Sequence, residues 1–293
     1  MQNFYLYGLV VKSEIDFLYL SKIKNTIKPD INIKINNNLI SKIDNHNKPS
    51  ETFNFLNVND GFIENKYFIC VIKEGKTIEL KVKVDIDDLN FISNFLHMPF
   101  AFILFQRGIF PMHAVSFELN NKSIVVSGES GSGKSTFCSF IQSKYKILSD
   151  DITGISFRKG KLKAIPSFPI ILSDNFYKQN LKLFSNEKIN RNRGIIKLEN
   201  DSFCSASKEI SRIYILEWGN KFNIQNLNST ESFKYIIRNS FKPSPHNNCV
   251  KSDKFYFKKI AEIINKLQIF KFTRPYDFSQ GDYSEFLNHA NHG

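Results

Sequence analysis

Hydrophobic and polar residues alternate through much of the first 84 residues, which is the two-residue period of β-strands. Residues 31–35 read Ile-Asn-Ile-Lys-Ile, and residues 5–11 would place four apolar side chains on one face of a single extended segment. Residues 67–72 and 77–84 flank the sequence Glu-Gly-Lys, which predicts a hairpin with a short glycine turn. This part of the chain is therefore expected to be rich in strands.

A helical period replaces the alternation after residue 85. Leu89, Ile92 and Leu96 recur at intervals of three and four residues, and the acids of residues 85–88 are placed to cap the helix. The stretch from 91 to 105 is apolar but shorter than the about 20 residues that cross a bilayer. It predicts a buried helix and no membrane span.

The pattern beyond residue 100 favours strands alternating with helices, so we expect an α/β fold. The predicted domains are a β-rich N-terminal domain of recognition or support, residues 1–100, and a second domain, residues 101–293. The polar tail from residue 280 is expected to fray. The predicted elements of the second domain are strands at 113–119, 123–126, 146–149, 168–172, 210–218 and 271–273, a hairpin at 152–165, and helices at 134–145, 176–184, 230–240 and 254–266.

The composition indicates a folded chain with a basic surface. Of its 293 residues, 42% are hydrophobic, which is enough for a core, and the formal net charge is +12. Such a surplus attracts polyanions such as nucleotides, acidic peptides, nucleic acid or anionic membranes, although a lysine-rich surface alone would also produce it. Six basic residues against one acid fall between 178 and 197, where they could meet phosphate or an acidic partner.

The four cysteines are too far apart in sequence to form a Cys-x-x-Cys pair. Neither a zinc site nor a disulfide framework is predicted from them. The first residues have no basic segment ahead of an apolar run, so no signal peptide is expected. Reduced thiols and this N-terminus together predict a cytoplasmic protein.

Residues 128–136 carry the strongest chemical signal. They read Gly-Glu-Ser-Gly-Ser-Gly-Lys-Ser-Thr and match the phosphate-loop pattern G-x-x-x-x-G-K-[ST], with a strand predicted before and a helix after. Small residues let backbone N–H groups approach a phosphate chain, and the helix N-terminus adds positive potential. Lys134 is expected to reach the β- and γ-phosphates of ATP, and the Ser135 hydroxyl to bind Mg²⁺. The predicted nucleotide-binding residues are Gly128, Glu129, Ser130, Gly131, Ser132, Gly133, Lys134, Ser135 and Thr136.

Two acids and a histidine flank this loop in the sequence. Asp150 and Asp151 end the next predicted strand, and the carboxyl ends of strands face the ligand crevice in open α/β sheets. One acid would bind Mg²⁺ while the other accepts a proton from an attacking hydroxyl; alternatively, the pair only caps a turn. His113 precedes the loop strand, where a histidine beside apolar residues is more commonly a core side chain.

His113-Ala114, the phosphate loop and Asp150-Asp151 together resemble the catalytic domain of HPr kinase/phosphorylase, a bacterial serine kinase family. The fold of that family is similar to phosphoenolpyruvate carboxykinase. The resemblance covers residues 108–160. The layout of the whole chain, starting with residues 5–15, is similar to HPr-kinase-related proteins encoded beside peptide-maturation genes, including lasso-peptide kinases.

This resemblance implies a phosphate-loop kinase domain over residues 101–293, with ATP and Mg²⁺, acting on a serine of a protein or precursor peptide. It implies that one of Asp150 and Asp151 is the general base and the other a metal partner. It also implies that His113 lies near the phosphates. A homo-oligomer is implied as well, although no coiled-coil pattern independently supports one.

The chain departs from the family at a glutamate-arginine-glycine signature. Only Arg193-Gly194 is present here, with no acid just before the arginine, which puts HPr as substrate and the phosphorylase reaction in doubt. Lys197 or Arg274 is the candidate to replace that arginine at the transferred phosphoryl group; both are otherwise solvated basic residues.

The resulting hypothesis is transfer of the γ-phosphoryl group of ATP to a serine hydroxyl. In it Asp150 accepts the hydroxyl proton, Ser135 and Asp151 bind Mg²⁺, and Lys134 stabilises the moving phosphoryl group. The alternatives are a small-molecule kinase, acting for example on free serine, and an ATP-binding regulator without transfer activity. A nucleic-acid-stimulated ATPase rests on charge alone, and with no helicase motif in the sequence no stable nucleic-acid partner is expected.

Overall fold

A computed structural model shows a mixed α/β protein with two large sheets. It describes residues 1–24, 27–41, 52–55, 60–158, 160–174, 193–199, 201–241, 250–275 and 280–292. The chain forms two compact units. The first comprises Met1–Ile109, Asp174–Ile195 and Phe241–Asp253, and the second comprises Phe110–Ser173, Ile196–Ser240 and Lys254–Gly293.

An eight-stranded sheet forms the body of the first unit. Its strands lie in the order β3-β1-β2-β4-β8-β7-β6-β5, and the hairpin predicted around Gly75 is confirmed as β7–β8. The elements are β1 (Gln2–Leu6), β2 (Leu9–Ser13), β3 (Lys22–Ile23), β4 (Ile31–Ile35), β5 (Thr52–Phe55), β6 (Asp60–Glu64), β7 (Phe68–Lys73), β8 (Thr77–Val82) and the helix α1 (Leu89–Gln106).

The prediction of one extended segment over residues 5–11 is wrong. Tyr7 and Gly8 have positive φ angles of 52° and 70°, and they turn the chain so that β1 and β2 pair antiparallel. Positive φ at both central residues is the geometry of a tight hairpin turn that matches the twist of its strands. The strain at Tyr7 is offset by burial, because its ring stacks on Phe100 at 5.7 Å between centroids.

The buried helix predicted over residues 91–105 is confirmed as α1. It begins as expected at Asp88, whose carboxylate accepts hydrogen bonds from the N–H groups of Asn90 and Phe91. Among the described residues, α1 alone is long and apolar enough to cross a membrane, and 67% of that apolar window is buried inside the protein. Phe91 and Phe95 pack edge-on against Phe68 of the sheet, as the rings of a core helix do.

The second unit is built on a mixed sheet that closes a ring through β10, β9, β12, β13 and β16, with β18 and β17 continuing beyond β16. Strand β10 pairs antiparallel with β9 and parallel with β16. The remaining elements of the chain, most of them in this unit, are β9 (Phe110–Leu119), β10 (Lys122–Ser127), α2 (Lys134–Ile141), β11 (Ile147–Ser149), β12 (Ile152–Arg158), β13 (Lys161–Ile165), β14 (Ile170–Asp174), β15 (Arg193–Lys197), β16 (Lys208–Trp218), β17 (Asn223–Asn226), α3 (Ser229–Arg238), α4 (Val250–Lys266), β18 (Gln268–Arg274) and α5 (Gln280–His292).

The C-terminal tail is an ordered helix, contrary to the prediction that it frays. Phe286 of α5 is fully buried and packs at 5.0 Å from Phe137, 4.9 Å from Tyr214 and 4.7 Å from Phe272, measured between ring centroids. A few apolar side chains among many polar ones are sufficient here because they share one face of the helix. The helix predicted at 176–184 lies outside the described residues.

Candidate functional site

The candidate phosphate loop connects the end of β10 to the start of α2. The helix begins at Lys134, after the N-cap Gly133, which has the left-handed φ of 93°. No side chain caps this helix start among the described residues. The N–H groups at the start of a helix have no partner within the helix, and the helix dipole favours an anion there.

The loop glycines are required by close approach as well as by conformation. A Cβ on Gly128 would lie 2.5 Å from the carbonyl oxygen of Leu216 and 2.6 Å from Oγ of Ser132. A Cβ on Gly131 would meet open space, but Gly131 has a φ of 82°. Gly133 has a positive φ as well, and a Cβ there would meet the guanidinium of Arg274. A larger residue at any of these positions would open or strain the loop.

The buried hydroxyl of Ser132 lies inside this loop. It makes no hydrogen bond to any described residue, although the Ser132 N–H donates to the carbonyl of Glu129 at 3.1 Å. A buried polar atom without a partner is costly, and a bound phosphate oxygen would satisfy it. The loop therefore fits the phosphate group that its sequence predicts.

Lys134 is almost fully buried at the base of the loop. Its Nζ donates to the carbonyls of Gly128 at 2.6 Å and Glu129 at 3.0 Å. Burial lowers the pKa of this ammonium to about 8, while the negative charges of Asp151 and Asp150 act in the opposite direction. The carboxylates are thus close enough for their charges to act on the loop lysine.

His113 and Asp151 form a pair beside the loop. Nε2 of His113 lies 2.9 Å from Oδ1 of Asp151, and both side chains are partly exposed. Asp151 has a φ of 68°, which turns the chain sharply between β11 and β12, and its carbonyl accepts from the N–H of Ala114 at 2.9 Å. Asp150, by contrast, is 4% exposed. The two neighbouring acids therefore occupy different environments.

The backbone of His113 is anchored on both sides. Its N–H donates to the carbonyl of Asn239 at the end of α3, and its carbonyl accepts from Oγ of Ser127 at 2.7 Å. The imidazole consequently projects from a fixed point on β9, next to the strand that carries the loop. Such a histidine is positioned by its backbone and oriented by a carboxylate, which is the arrangement that an acid–base site needs.

A chain of buried hydroxyls lies beneath the paired acids. Oγ of Ser116 is 2.6 Å from Oγ of Ser149, which is 2.5 Å from Oγ1 of Thr153, and Thr153 donates to the carbonyl of Ala114. These bonds join β9, β11 and β12 at the point where Asp150 and Asp151 leave the sheet. They satisfy each polar group in a dry environment and so fix the strand ends.

A pocket of about 420 Å³ adjoins the loop on the side of β16. The sequence did not indicate the residues outside the loop that line this pocket. Because β16 is parallel to β10, its carboxyl end reaches the same edge of the sheet, and only this pairing gives Glu217 and Trp218 a place beside the loop. Burial raises the pKa of Tyr235 to about 12, assisted by its hydrogen bond to Glu217. The lining residues are Glu129, Ser130, Gly131, Ser132, Ile215, Leu216, Glu217, Trp218, Tyr235, Arg238 and Asn239.

Arg274 contacts the loop itself. Its guanidinium lies 3.7 Å from the centroid of the Trp218 ring, and its Nη2 lies 3.5 Å from the carbonyl oxygen of Ser132. With 3% of its surface exposed, Arg274 touches the loop backbone. Lys197, the other basic residue expected near the phosphoryl group, is exposed, and no contact to the loop is found for it within the described residues.

The predicted magnesium partners are Ser135, on the first turn of α2, and Asp151. The described residues contain no group of three or more His, Cys, Asp or Glu side chains that could hold a metal ion. Mg²⁺ beside a nucleotide commonly uses one or two protein ligands together with phosphate oxygens and water, so a hydroxyl and one carboxylate suit it. In the described part of the chain, these side chains would therefore bind Mg²⁺ together with phosphate oxygens and water.

The predicted site residues thus fall into one region of the second unit. The loop residues 128–136 run from the end of β10 into α2, the two acids follow β11, and His113 lies near the start of β9. Thr136, on the first turn of α2, is partly buried. The residues that the sequence did not indicate come from β16 and α3, which reach the loop only through long-range pairing.

Comparisons with known proteins give a distant likeness. No family model matches the sequence, and no curated protein matches it. Among solved structures, the chain is similar to the Hpr(Ser) kinase/phosphatase from Coxiella burnetii, with 12% identity and a TM-score of 0.35. The match covers 61% of this chain and 95% of that one.

Proposed function

We propose that the second unit is an ATP-dependent kinase that phosphorylates a serine hydroxyl of a protein or precursor peptide. One observation carries the proposal: a glycine loop built for phosphate, with a buried lysine at its base, lies beside a hydrogen-bonded carboxylate–imidazole pair. Phosphoryl transfer needs little more from a protein than positioning, positive charge at the phosphates and an acceptor for the hydroxyl proton.

The exposures favour Asp151 over Asp150 as the group that meets the acceptor hydroxyl. Asp151 has 41% of its side chain exposed, whereas Asp150 is buried, with only 4% of its surface exposed. In this assignment Asp151 accepts the proton, and His113 orients the carboxylate through the bond from its ring. Asp150 contributes negative charge from below, and the roles of the two acids are the reverse of those expected from the sequence.

The loop would hold the triphosphate through backbone N–H groups other than that of Ser132, which bonds to Glu129, and through the ammonium of Lys134. Lys134 then exchanges its bonds to the Gly128 and Glu129 carbonyls for phosphate oxygens and stabilises the charge that develops on them. Mg²⁺, when bound, would neutralise β- and γ-phosphate oxygens. Ser135 and the carboxylate of Asp150, whose charge acts on Lys134, are the side-chain groups suited to it.

A small-molecule kinase is the second candidate, and the pocket beside the loop favours it. Its volume of about 420 Å³ lies within the range of roughly 300–1,000 Å³ typical of small-molecule sites. The pocket offers Glu217, Tyr235 and Arg238 to a polar ligand such as a free hydroxy-amino acid. Cytoplasmic location and a homo-oligomeric state remain part of the proposal.

The test is incubation with ATP and Mg²⁺ followed by intact-mass measurement of the acceptors. The acceptors are small peptides encoded beside the gene and free serine. We expect a peptide to gain the mass of one phosphate with the wild-type protein, and none with Lys134→Ala or Asp151→Asn. Asp201→Asn, an exposed acid outside the site, is the matched control and should leave the gain intact.

Three other results would change the conclusion. Phosphorylation of free serine alone would favour the small-molecule kinase. ADP release without mass gain on any acceptor would indicate an ATPase, and nucleotide binding without turnover would indicate a regulator. Full transfer by Lys134→Ala would contradict every form of the proposal.

A further inference from the structure

Two residues from neighbouring strands contact backbone carbonyls of the phosphate loop. Trp218 and Arg274 end β16 and β18, where they are directly paired in the parallel register of the two strands. Nε1 of Trp218 donates to the carbonyl of Gly131 at 2.8 Å. The Arg274 guanidinium is stacked on the indole at 3.7 Å and reaches the carbonyl of Ser132 at 3.5 Å.

These contacts fix the direction of two peptide groups in the loop. A trans peptide is planar, so its carbonyl and its N–H point in opposite directions. Trp218 bonds to the Gly131 carbonyl. The N–H of the same peptide group belongs to Ser132, and it donates to the Glu129 carbonyl, which closes the tip of the loop. With the Ser132 carbonyl directed at Arg274, the Gly133 N–H of the same peptide group is directed away from the arginine.

Glycine at position 133 fits the same arrangement. A Cβ there would overlap the guanidinium of Arg274, so the loop backbone and the arginine are in direct contact. Loops that bind phosphate through backbone N–H groups gain affinity when those groups are oriented before the ligand arrives. Trp218 and Arg274 have no counterpart in the loop motif itself, which ends at Ser135.

We infer that Trp218 and Arg274 are positioning residues, here called the loop clamp, that hold the phosphate loop in its binding conformation before the nucleotide enters. This inference rests on the proposed nucleotide binding, but the effect of the clamp on the loop is present in the nucleotide-free protein. It acts through the carbonyls of Gly131 and Ser132, and this role needs no contact with a phosphate.

The first experiment is amide hydrogen exchange of nucleotide-free protein. Trp218→Phe keeps an aromatic ring, although a smaller one, and removes the N–H donor, and Arg274→Met keeps length and removes the charged fork. Peptides covering residues 128–134 should exchange at least about threefold faster in both variants, since a net hydrogen bond contributes roughly 0.5–1.5 kcal/mol. Lys271→Met, on the same strand and about 10 Å before Arg274, is the matched control and should exchange as wild type does.

The second experiment measures nucleotide affinity and turnover of the same variants. We expect the Kd and KM for ATP to rise roughly 3- to 30-fold, with kcat at saturating ATP within about twofold of wild type, because bound phosphate re-forms the loop. The double variant should lose less than the product of the single losses, because the two side chains contact each other. A variant that merely unfolds the unit would instead lower kcat and the melting temperature together.

The outcomes separate the two proposals. Unchanged loop exchange in Trp218→Phe and Arg274→Met overturns the clamp, whether or not nucleotide binds. Wild-type protein that fails to bind ATP overturns the proposed function, while faster loop exchange in the variants would still establish the clamp. Because Trp218 is the single tryptophan of the chain, its emission should also shift when nucleotide binds, and no shift with saturating bound ATP would count against the contact.

Discussion

At the scale of single residues, the site places an ammonium where water is excluded. Lys134 is 6% exposed, and burial lowers its pKa to about 8 from an ordinary value near 10.5. The unfolded chain therefore binds more protons than the folded one between these two values, so the free energy of unfolding rises with pH through that window. Below a pH of about 8, Lys134 is charged and buried, and this lowers the free energy of unfolding.

This argument predicts that Lys134→Met stabilises the protein. Methionine fills a similar volume without a buried charge, and we expect a gain on the order of 1–3 kcal/mol at pH 7. The gain should shrink as the pH rises above about 8, because wild-type Lys134 then loses its proton. Thermal unfolding between pH 6.5 and 10 measures it, and a less stable variant at pH 7 would contradict the prediction.

The aspartate–histidine pair gives a prediction for catalysis. Asp151→Asn should reduce phosphoryl transfer by about 10³-fold or more, while His113→Leu, which removes the ring nitrogen that bonds to Asp151, should reduce it roughly 10- to 100-fold. Single-turnover rates at saturating ATP provide the comparison. Equal losses in both variants, or a larger loss at His113, would reverse the roles given to these residues.

The loop glycines offer a matched pair of variants. Gly131→Ala meets an unfavourable φ of 82° but open space, whereas Gly133→Ala meets an unfavourable φ of 93° and the guanidinium of Arg274. Alanine at 131 should cost about 1–2 kcal/mol of stability, and alanine at 133 clearly more. Chemical unfolding of both variants isolates the effect of the arginine, and equal costs would show that Arg274 yields without penalty.

At the scale of elements, α5 shows how a polar sequence can supply a core. Phe286→Ala should cost about 3–5 kcal/mol because it empties a site enclosed by three aromatic rings. Exposed Glu285→Ala, one position away on the same helix, is the control and should change stability by less than about 0.5 kcal/mol. Urea unfolding measures both, and a small cost for Phe286→Ala would mean that α5 packs loosely.

The sequence predicted most elements whose signal is local. The cap at Asp88, the hairpin around Gly75 and the strand before Gly128 each follow from a few neighbouring residues, and the structure confirms them. The hairpin at Tyr7 was missed because tyrosine rarely adopts a positive φ, and only burial against Phe100 explains it. The C-terminal helix was missed because its apolar residues are few, and their value depends on the partners that they meet.

At the scale of the whole molecule, sequence reasoning gave the phosphate loop and its strand but not the residues that surround them. Glu217, Trp218 and Tyr235 carry no motif, and only the pairing of β16 with β10 gives them a place at the loop. Pairings between distant segments leave no local pattern, so the pocket and the clamp could not have been predicted from spacing alone. Asp151 was identified from its place at the end of a predicted strand, the resemblance strengthened the case for His113, and the structure supplies their contact.

Sequence distance across the loop has a consequence for the order in which the second unit folds. Gly131 bonds to a residue 87 positions later, and Ser132 to one 142 positions later. Contacts of such separation are costly to close and form late, whereas the β9–β10 hairpin can form early. The loop would therefore be among the last parts of the unit to acquire its shape, and on the ribosome it could not be completed until Arg274 had emerged.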